Sequence, residues 1–274
     1  MNFRADIHIH SIYSDGTFSP KEILFQAKKQ NLSGISITDH DTIEAYTPDF
    51  FILAKELEIE ILTGVEISSQ VGNMSIHILG YGFSLTEDFF SFLEEIQKRR
   101  RERNVKILEK LAQKNMLITE EELLLFSKKG TKTTLGRPHI ASLMVKKKYV
   151  NSFKQAFFLY LKEGGSCYVA GNKFSPLEII EKLHKAKGKA VLAHPHFIKN
   201  KKVLDELLQT PFDGIEAYYG KLLPYMEKKW VEIGKEKNWI ITGGSDFHGD
   251  MKPYLTMGSS WVGKDVFDRL RMYS

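Results

Sequence analysis

Histidines and carboxylates recur at the ends of short apolar runs in this chain, beginning with His8 and His10 near the N-terminus. If residues 5–9 form a β-strand, both imidazoles point to the same face, because side chains alternate along a strand. Two neutral imidazoles followed by the carboxylate of Asp15 are typical of the start of a metal site. For a single His-x-His pair, a half-buried strand that carries two polar residues is an equally good interpretation.

The same pattern returns at later apolar runs, and it favours the metal site. In a parallel barrel the carboxyl ends of all strands meet at one mouth, where active sites are built. Core packing explains such a set poorly, because buried imidazoles need polar partners. Six of the nine histidines belong to it. The predicted metal ligands are His8, His10, Asp15, His40, Glu66, His77, His194, Asp246 and His248.

Predicted strands alternate with predicted helices, which is typical of a parallel sheet. Candidate strands cover residues 5–9, 34–38, 60–66, 75–81, 189–193, 214–217 and 239–242, and a further candidate is 256–262. Capping boxes mark two helix starts, at Ser19-Pro20-Lys21-Glu22 and at Ser175-Pro176-Leu177-Glu178. Seven or eight strand–helix units would close into a barrel, so we predict an α/β barrel.

The middle of the chain has a different pattern. Between about Glu87 and Gly165 no convincing strand occurs, and apolar residues recur at helical spacings. Thr119 and Glu122 mark another helix start. No Pro-, Gly- or Ser-rich linker flanks this block, which favours an insertion over an independent domain. We predict a barrel domain from residues 1–87 and 166–274, and a helical insertion over 88–165 that caps the mouth of the barrel.

Composition excludes several classes of protein. The 274 residues suit one large domain, or a domain with an insertion. The single Cys167 excludes an internal disulfide framework and a thiolate zinc cluster. No apolar run approaches the roughly 20 residues that span a membrane, and no signal-peptide pattern is present, so we expect a cytoplasmic protein. The net charge of +5 is compatible with a phosphorylated substrate but too small to predict binding of duplex DNA.

Nine candidate ligands exceed the needs of one ion, since a mononuclear zinc site takes three or four. They can hold two or three divalent ions if one carboxylate bridges. Nitrogen and oxygen ligands without thiolate suit Mn, Fe, Zn or Co. Clustered ions activate a bridging water and neutralise charge on phosphate oxygens, which favours phosphoester hydrolysis without a Ser or Cys nucleophile.

Taken together, these motifs resemble the PHP (polymerase and histidinol phosphatase) family over nearly the whole chain. The motifs are His8-x-His10, Ser14-Asp15-Gly16, Thr38-Asp39-His40-Asp41-Thr42, Gly64-Val65-Glu66, His77, Ala193-His194-Pro195 and Ser245-Asp246-Phe247-His248. The resemblance implies a distorted seven-stranded (β/α)7 barrel and a trinuclear metal centre. It implies one ion on His8, His10, Glu66 and Asp246, a second on Glu66, His77 and His194, and a third on Asp15, His40 and His248.

Within that family, the helical insertion and Gly136-Arg137-Pro138-His139 resemble the branch that contains 3′,5′-nucleoside bisphosphate phosphatases and 5′→3′ exoribonucleases of the RNase AM type. The resemblance implies that Arg137 and His139 bind a substrate phosphate. A guanidinium just before a helix that starts at Pro138 is a good anion site. In the alternative interpretation Arg137 is a surface residue and His139 a helix cap.

Other cations and aromatic residues carry weaker signals. Lys132 and Lys173 could also reach a phosphate. The run over residues 98–103 is typical of a solvated helix face, although Arg99 and Arg103 share one face and could hold a second phosphate. Tyr218 and Tyr219 could stack a base, with core packing as the alternative.

We therefore predict a metal-dependent phosphoesterase that acts on small nucleotides, such as 3′,5′-bisphosphonucleotides, or on the 5′ ends of short RNA. Asp246 or His194 is expected to transfer a proton. Two alternatives remain open at this stage. One is a phosphatase for another small phosphomonoester such as histidinol phosphate, and the other is a metal-binding PHP domain without turnover.

Overall fold

Eight strands and ten α-helices make up the part of the chain that this computed structural model describes, residues 2–126, 133–171 and 173–271. The strands are β1 (Ala5–Ile9), β2 (Gly34–Ile37), β3 (Glu60–Ile61), β4 (Gly64–Val71), β5 (Met74–Tyr81), β6 (Lys189–Leu192), β7 (Gly214–Tyr219) and β8 (Ile240–Gly244). The helices are α1 (Pro20–Lys29), α2 (Pro48–Glu56), α3 (Glu87–Ala112), α4 (Glu120–Phe126), α5 (Arg137–Lys146), α6 (Phe153–Ala156), α7 (Pro176–Lys185), α8 (Lys201–Leu207), α9 (Pro224–Glu236) and α10 (Lys264–Leu270).

The strands form two sheets that join into a distorted barrel. One sheet has the order β1-β2-β3 and the other the order β4-β5-β6-β7-β8. Isolated bridges connect them at both edges, Ile9 with Phe247 and His40 with Glu66. The resulting ring has seven members, β1-β2-β4-β5-β6-β7-β8, with the two-residue β3 beside β2. The predicted distorted α/β barrel is confirmed.

The sheet is not parallel throughout, which corrects the prediction. β5 runs antiparallel to both β4 and β6. β4 and β5 are joined by only Gly72 and Asn73, and a parallel pair would need a crossover of a dozen or more residues. Gly72 has φ +56°, a conformation that glycine adopts without steric cost. The predicted strand 60–66 is divided between β3 and β4, and 256–262 contributes only the bridge of Val262 to Ala5.

The predicted capping boxes are present. The hydroxyl groups of Ser19 and Ser175 accept from the amides of Glu22 and Glu178, whose carboxylates accept from the cap amides. Thr119 caps α4 in the same way. Each cap contributes about 1 kcal/mol to stability and fixes where the helix begins.

The long helix α3 connects two apolar cores. Its first half contributes Phe89 and Ile96 to the cluster that packs on the barrel. Its second half contributes Ile107 and Leu111 to a separate cluster shared with α4, α5 and α6. No strand occurs between residues 87 and 165 in the part that the structure describes, in agreement with the helical pattern of the sequence. No described helix is long and apolar enough to cross a membrane.

Candidate metal centre and phosphate cavity

Strand β1 and the segments that follow β1, β2 and β8 bring most of the predicted ligands to one end of the barrel. His8 lies in β1 and His10 follows its last residue, and both side chains are fully buried. Asp15 lies in the turn after β1, and His40 follows β2. Asp246 and His248 follow β8. All of these side chains are nearly inaccessible to solvent, so their polar atoms must find partners inside the protein.

His77 reaches the same place by a different route from the one predicted. It lies in the first half of β5 and pairs with Ser68 of β4. Because β5 runs in the opposite direction, its beginning lies at the mouth of the barrel. The prediction that every ligand lies at the carboxyl end of a strand was therefore wrong for His77. It was also wrong for Glu66, which is the third of the eight residues of β4.

Glu66 is the centre of the cluster, since its two carboxylate oxygens contact five imidazoles. Oε2 lies 3.1 Å from His10 Nε2, 3.2 Å from His40 Nδ1 and 3.5 Å from His8 Nε2. Oε1 lies 2.8 Å from His77 Nδ1 and 2.9 Å from His194 Nε2. One carboxylate thus faces two groups of nitrogen donors, as a bridging ligand would.

Asp246 and Asp15 complete the cluster. Asp246 Oδ1 lies 3.3 Å from His10 Nε2 and 3.5 Å from His8 Nε2. Asp15 Oδ1 lies 3.3 Å from His248 Nε2, and its other oxygen lies 3.8 Å from His40 Nε2. All nine predicted ligands are therefore brought together in one region.

The donor set fits divalent metal ions. Three groups of donor atoms are compact enough to hold an ion: His8, His10, Glu66 and Asp246; His10, Asp15, His40 and His248; and His40, Glu66 and His77. The first group equals one of the three ligand sets that the family resemblance implies. The second group adds His10 to the implied set of Asp15, His40 and His248. The third group contains His40 in place of His194. Four buried atoms in the cluster lack a hydrogen-bond partner: His8 Nε2, His10 Nε2, Asp15 Oδ1 and His40 Nδ1. Because an unpaired buried polar atom is costly, the free donor positions of these atoms fit coordination to metal ions.

The electrostatics keep the carboxylates ionised. Burial alone would raise the pKa of Glu66, but the imidazoles of His40, His77 and His8 hold it well below its usual range. The pKa of Asp246 is likewise lowered, against burial, by Lys252 and by His248. Ionised carboxylates are the form that binds divalent ions.

Glu216 in β7 contacts two of the candidate ligands, and its role was not predicted from the sequence. Its Oε1 lies 2.7 Å from His8 Nδ1, and its Oε2 accepts from the backbone N–H of His194 at 2.7 Å. A carboxylate on the far nitrogen fixes the tautomer and orientation of a metal-binding histidine. Glu216 is therefore a positioning residue that holds His8 with Nε2 facing the cluster.

We expect Glu216→Gln to weaken metal binding by about 10- to 100-fold, because an amide orients His8 less strongly than a carboxylate does. Competition with a chromophoric chelator measures this affinity without relying on activity. Glu227→Gln, in α9, is the matched control and should bind metal like the wild type. Unchanged affinity in the Glu216 variant would contradict the positioning role.

The second oxygen of Asp246 has partners of its own. Asp246 Oδ2 accepts from Tyr219 Oη at 2.7 Å and from Lys252 Nζ at 2.8 Å. This contact explains why Tyr219 is 6% exposed, and it favours the packing alternative over base stacking for that residue. Tyr218 points into a different surface groove, which it shares with Trp261.

A cavity of about 300 Å³ opens onto the cluster. Its wall includes seven of the predicted ligands: Asp15, His40, Glu66, His77, His194, Asp246 and His248. Five cations line it as well. Lys252 pairs with Asp246, and we call the other four, Arg100, Arg103, Arg137 and Lys173, the cation wall. The candidate metal centre and the cation wall thus share one space.

The cation wall carries excess positive charge. Among the contacts described, Arg100 alone has a carboxylate partner, Asp41 Oδ2 at 2.6 Å. Arg103 is 5% exposed, and its Nε has no hydrogen-bond partner among the described residues. Burial and the neighbouring guanidinium groups of Arg100 and Arg137 lower the pKa of Arg103 well below its usual range. Buried cations with so little compensation are typical of a site for an anion such as phosphate.

Of Arg99 and Arg103, which the sequence placed on one helix face, only Arg103 lines the cavity. Arg99 pairs with Glu95 and lies over the ring of Phe174, and it does not line this cavity. Arg100 takes its place. The buried stripe of α3 passes through Ile96 and Ile107, and extending it by helical spacing would have included 100 and 103.

The Gly136–His139 segment is placed partly as predicted. α5 begins at Arg137, one residue earlier than expected, and Arg137 lines the cavity. His139 is engaged at both ring nitrogens, since Nδ1 accepts from the Gly136 amide and Nε2 lies 3.0 Å from the Ser14 carbonyl. In this structure His139 caps α5 and holds the turn that carries Asp15. Lys132 lies outside the described residues.

Known proteins resemble the chain over most of its length. The profile of the PHP domain family matches residues 6–223. A 5′-3′ exoribonuclease from Haemophilus influenzae is 36% identical over 254 residues, which cover 90% of this chain and 91% of that protein. A 3′,5′-nucleoside bisphosphate phosphatase from Chromobacterium violaceum is 26% identical over 89% of this chain and 86% of its own.

A solved structure from Bifidobacterium adolescentis, described as a metal-dependent phosphoesterase, superposes with a TM-score of 0.87 at 28% identity. It covers 97% of this chain and 94% of its own. The chain shares the distorted barrel of these proteins and carries a cluster of histidines and carboxylates at its mouth, and it is a metal-dependent phosphoesterase. The chain belongs to the PHP domain family, and it is an enzyme of that family rather than a domain without turnover.

Proposed function

We propose that the enzyme hydrolyses phosphate esters of substrates that carry two neighbouring phosphates, namely 3′,5′-bisphosphonucleotides and the 5′ ends of short RNA. The observation that carries the proposal is the shared cavity. One phosphate can lie on the metal centre while the cation wall binds the other. The exoribonuclease and bisphosphate phosphatase among its relatives support this substrate class.

The nine clustered residues are proposed as ligands of two or three divalent ions, of Mn, Fe or Zn. When bound, such ions supply an activated water and neutralise charge on the phosphoryl oxygens. Glu66 would bridge ions because its oxygens face separate donor groups. Glu216 holds His8, and Lys252 holds Asp246.

The remaining chemistry falls to residues around the cavity. Arg137 and Arg103 would orient the second phosphate by charge-assisted hydrogen bonds. His194 and Asp246 remain the proposed groups for proton transfer to the leaving oxygen. His194 has about 14% of its side chain exposed and lines the cavity, so it can contact substrate.

Three further predictions remain part of the proposal. The barrel is assigned to residues 1–87 and 166–274, and the insertion to 88–165. Substrates are small nucleotides or single-stranded RNA rather than duplex DNA. The expected location is the cytoplasm.

The test is a comparison of substrates with the metal-loaded enzyme. We expect kcat/KM for an adenosine 3′,5′-bisphosphate to exceed that for adenosine 3′-monophosphate by about 10- to 100-fold, because one charge-assisted phosphate contact contributes about 1.5–3 kcal/mol. Short 5′-phosphorylated oligoribonucleotides should release mononucleotides. Equal rates on the bisphosphate and the monophosphate would contradict the proposal and favour a phosphatase for a small monoester such as histidinol phosphate.

A further inference from the structure

The cavity has a third wall that neither the metal centre nor the cation wall explains. Phe153, Phe157 and Phe197 line it, and we call them the aromatic rim. Phe153 is 37% exposed and Phe197 is 55% exposed. An exposed apolar patch that polar residues surround is typical of a ligand-binding groove.

Phe197 is held beside the candidate metal centre. It ends the 3₁₀ turn Pro195–Phe197, which directly follows His194. Its ring centroid lies 5.3 Å from that of His194 and 5.6 Å from that of Tyr219. Contacts with His194, His196 and Tyr219 hold the ring, and about half of the side chain stays exposed.

Phe153 and Phe157 lie beside the cation wall. Their centroids are 4.9 Å apart, with the rings inclined by 35°. Phe157 begins a π-helical turn, Phe157–Leu161, and such turns often occur at functional sites. Arg137 Nη1 donates to the carbonyl of Leu161 at 3.3 Å, so the same turn is tied to a residue of the phosphate site.

The chemistry of the occupant follows from this combination. A ligand that satisfies the metal centre and the cation wall is anionic at two points, whereas the aromatic rim requires a flat apolar group on the same molecule. A nucleobase meets that requirement because every base has two π faces. In a duplex both faces are covered by neighbouring base pairs, so the occupant must be single-stranded or mononucleotide.

We propose that the aromatic rim is a base-stacking site for the nucleobase of the substrate, without preference among the four bases. The proposal rests on the nucleotide phosphoesterase function proposed above. It replaces Tyr218 and Tyr219, which the sequence suggested for stacking, with three phenylalanines from the insertion and from the segment after β6.

Two measurements test the site. The first is kcat/KM for 5′-phosphorylated dinucleotides that carry either a base or an abasic ribose at the 5′ position. Stacking contributes about 1–3 kcal/mol per base, so the wild type should prefer the base-containing substrate by about 5- to 150-fold. Phe197→Ala and Phe153→Ala should reduce this preference toward 1, and Phe197→Tyr should restore it.

The second measurement is the fluorescence of 2-aminopurine ribonucleoside 5′-monophosphate, which stacking quenches, titrated with the metal-loaded enzyme. Quenching should weaken in the alanine variants. Phe158→Ala is the matched control, since Phe158 is 62% exposed on the same turn but does not line the cavity.

The outcomes separate the two proposals. Equal turnover of base-containing and abasic substrates, or quenching that survives both alanine substitutions, would overturn the stacking site alone. Normal quenching without hydrolysis of any nucleotide would contradict the proposed function and leave the stacking site supported.

Discussion

Replacing Glu66 with glutamine is expected to lower kcat/KM by about 1000-fold or more, with a parallel loss of bound metal. Glu66 contacts five imidazoles, whereas Asp15 and Asp246 contact three each in the described part of the centre. An amide offers one neutral acceptor in place of two charged ones, so the proposed bridge between ions would be lost. Metal ions supply several kcal/mol of transition-state stabilisation, and each 1.36 kcal/mol corresponds to a tenfold change in rate.

Metal analysis of the purified variant and kinetics on a 3′,5′-bisphosphonucleotide measure both effects. Glu58→Gln is the control, because its carboxylate is 85% exposed and pairs only with Lys28 among the described residues. It removes the same charge outside the site. A Glu66 variant that retained full metal content and wild-type kcat/KM would show that Glu66 does not bridge.

Replacing Arg137 with glutamine should lower kcat/KM for a 3′,5′-bisphosphonucleotide by about 10- to 100-fold while leaving that for a monophosphate within about twofold. The guanidinium would contact only the second phosphate, which the monophosphate lacks. Arg103→Gln should behave in the same way. Steady-state kinetics on both substrates with each variant gives the required ratios.

The structure offers a matched control on the helix that carries Arg103. Arg101→Gln removes the same charge from α3, but Arg101 is exposed and does not line the cavity. It should leave both substrates unaffected. If the Arg137 and Arg103 variants lowered turnover of both substrates equally, the cation wall would act on the reacting phosphate instead.

Local signals accounted for most of the fold. Capping boxes and strand patterns depend on residues within a few positions, and β1, α1 and α7 begin where their sequences indicate. The direction of β5 was predicted wrongly although a local signal existed. Two strand patterns separated by only Gly72-Asn73 are typical of a hairpin.

Some residues of the site could likewise be predicted from local sequence, and others could not. The candidate ligands could be predicted because their residue types are unusual at strand ends. Glu216 could not, because its role depends on a contact with His8 over 208 residues. The arginines that face the cavity were predictable in principle, because the helical spacing of the apolar residues of α3 includes positions 100 and 103.

The barrel is closed at two seams, each formed by one isolated bridge, and both seams pass through the candidate metal centre. One bridge joins Ile9 to Phe247. Ile9 lies between His8 and His10, and Phe247 lies between Asp246 and His248. The other joins His40 to Glu66 themselves. Ions bound by residues on both sides of a seam would stabilise the closed barrel. Opening of the barrel and release of metal would then be one coupled equilibrium. Amide exchange at His10 and Glu66, whose N–H groups donate across these seams, would report both events at once.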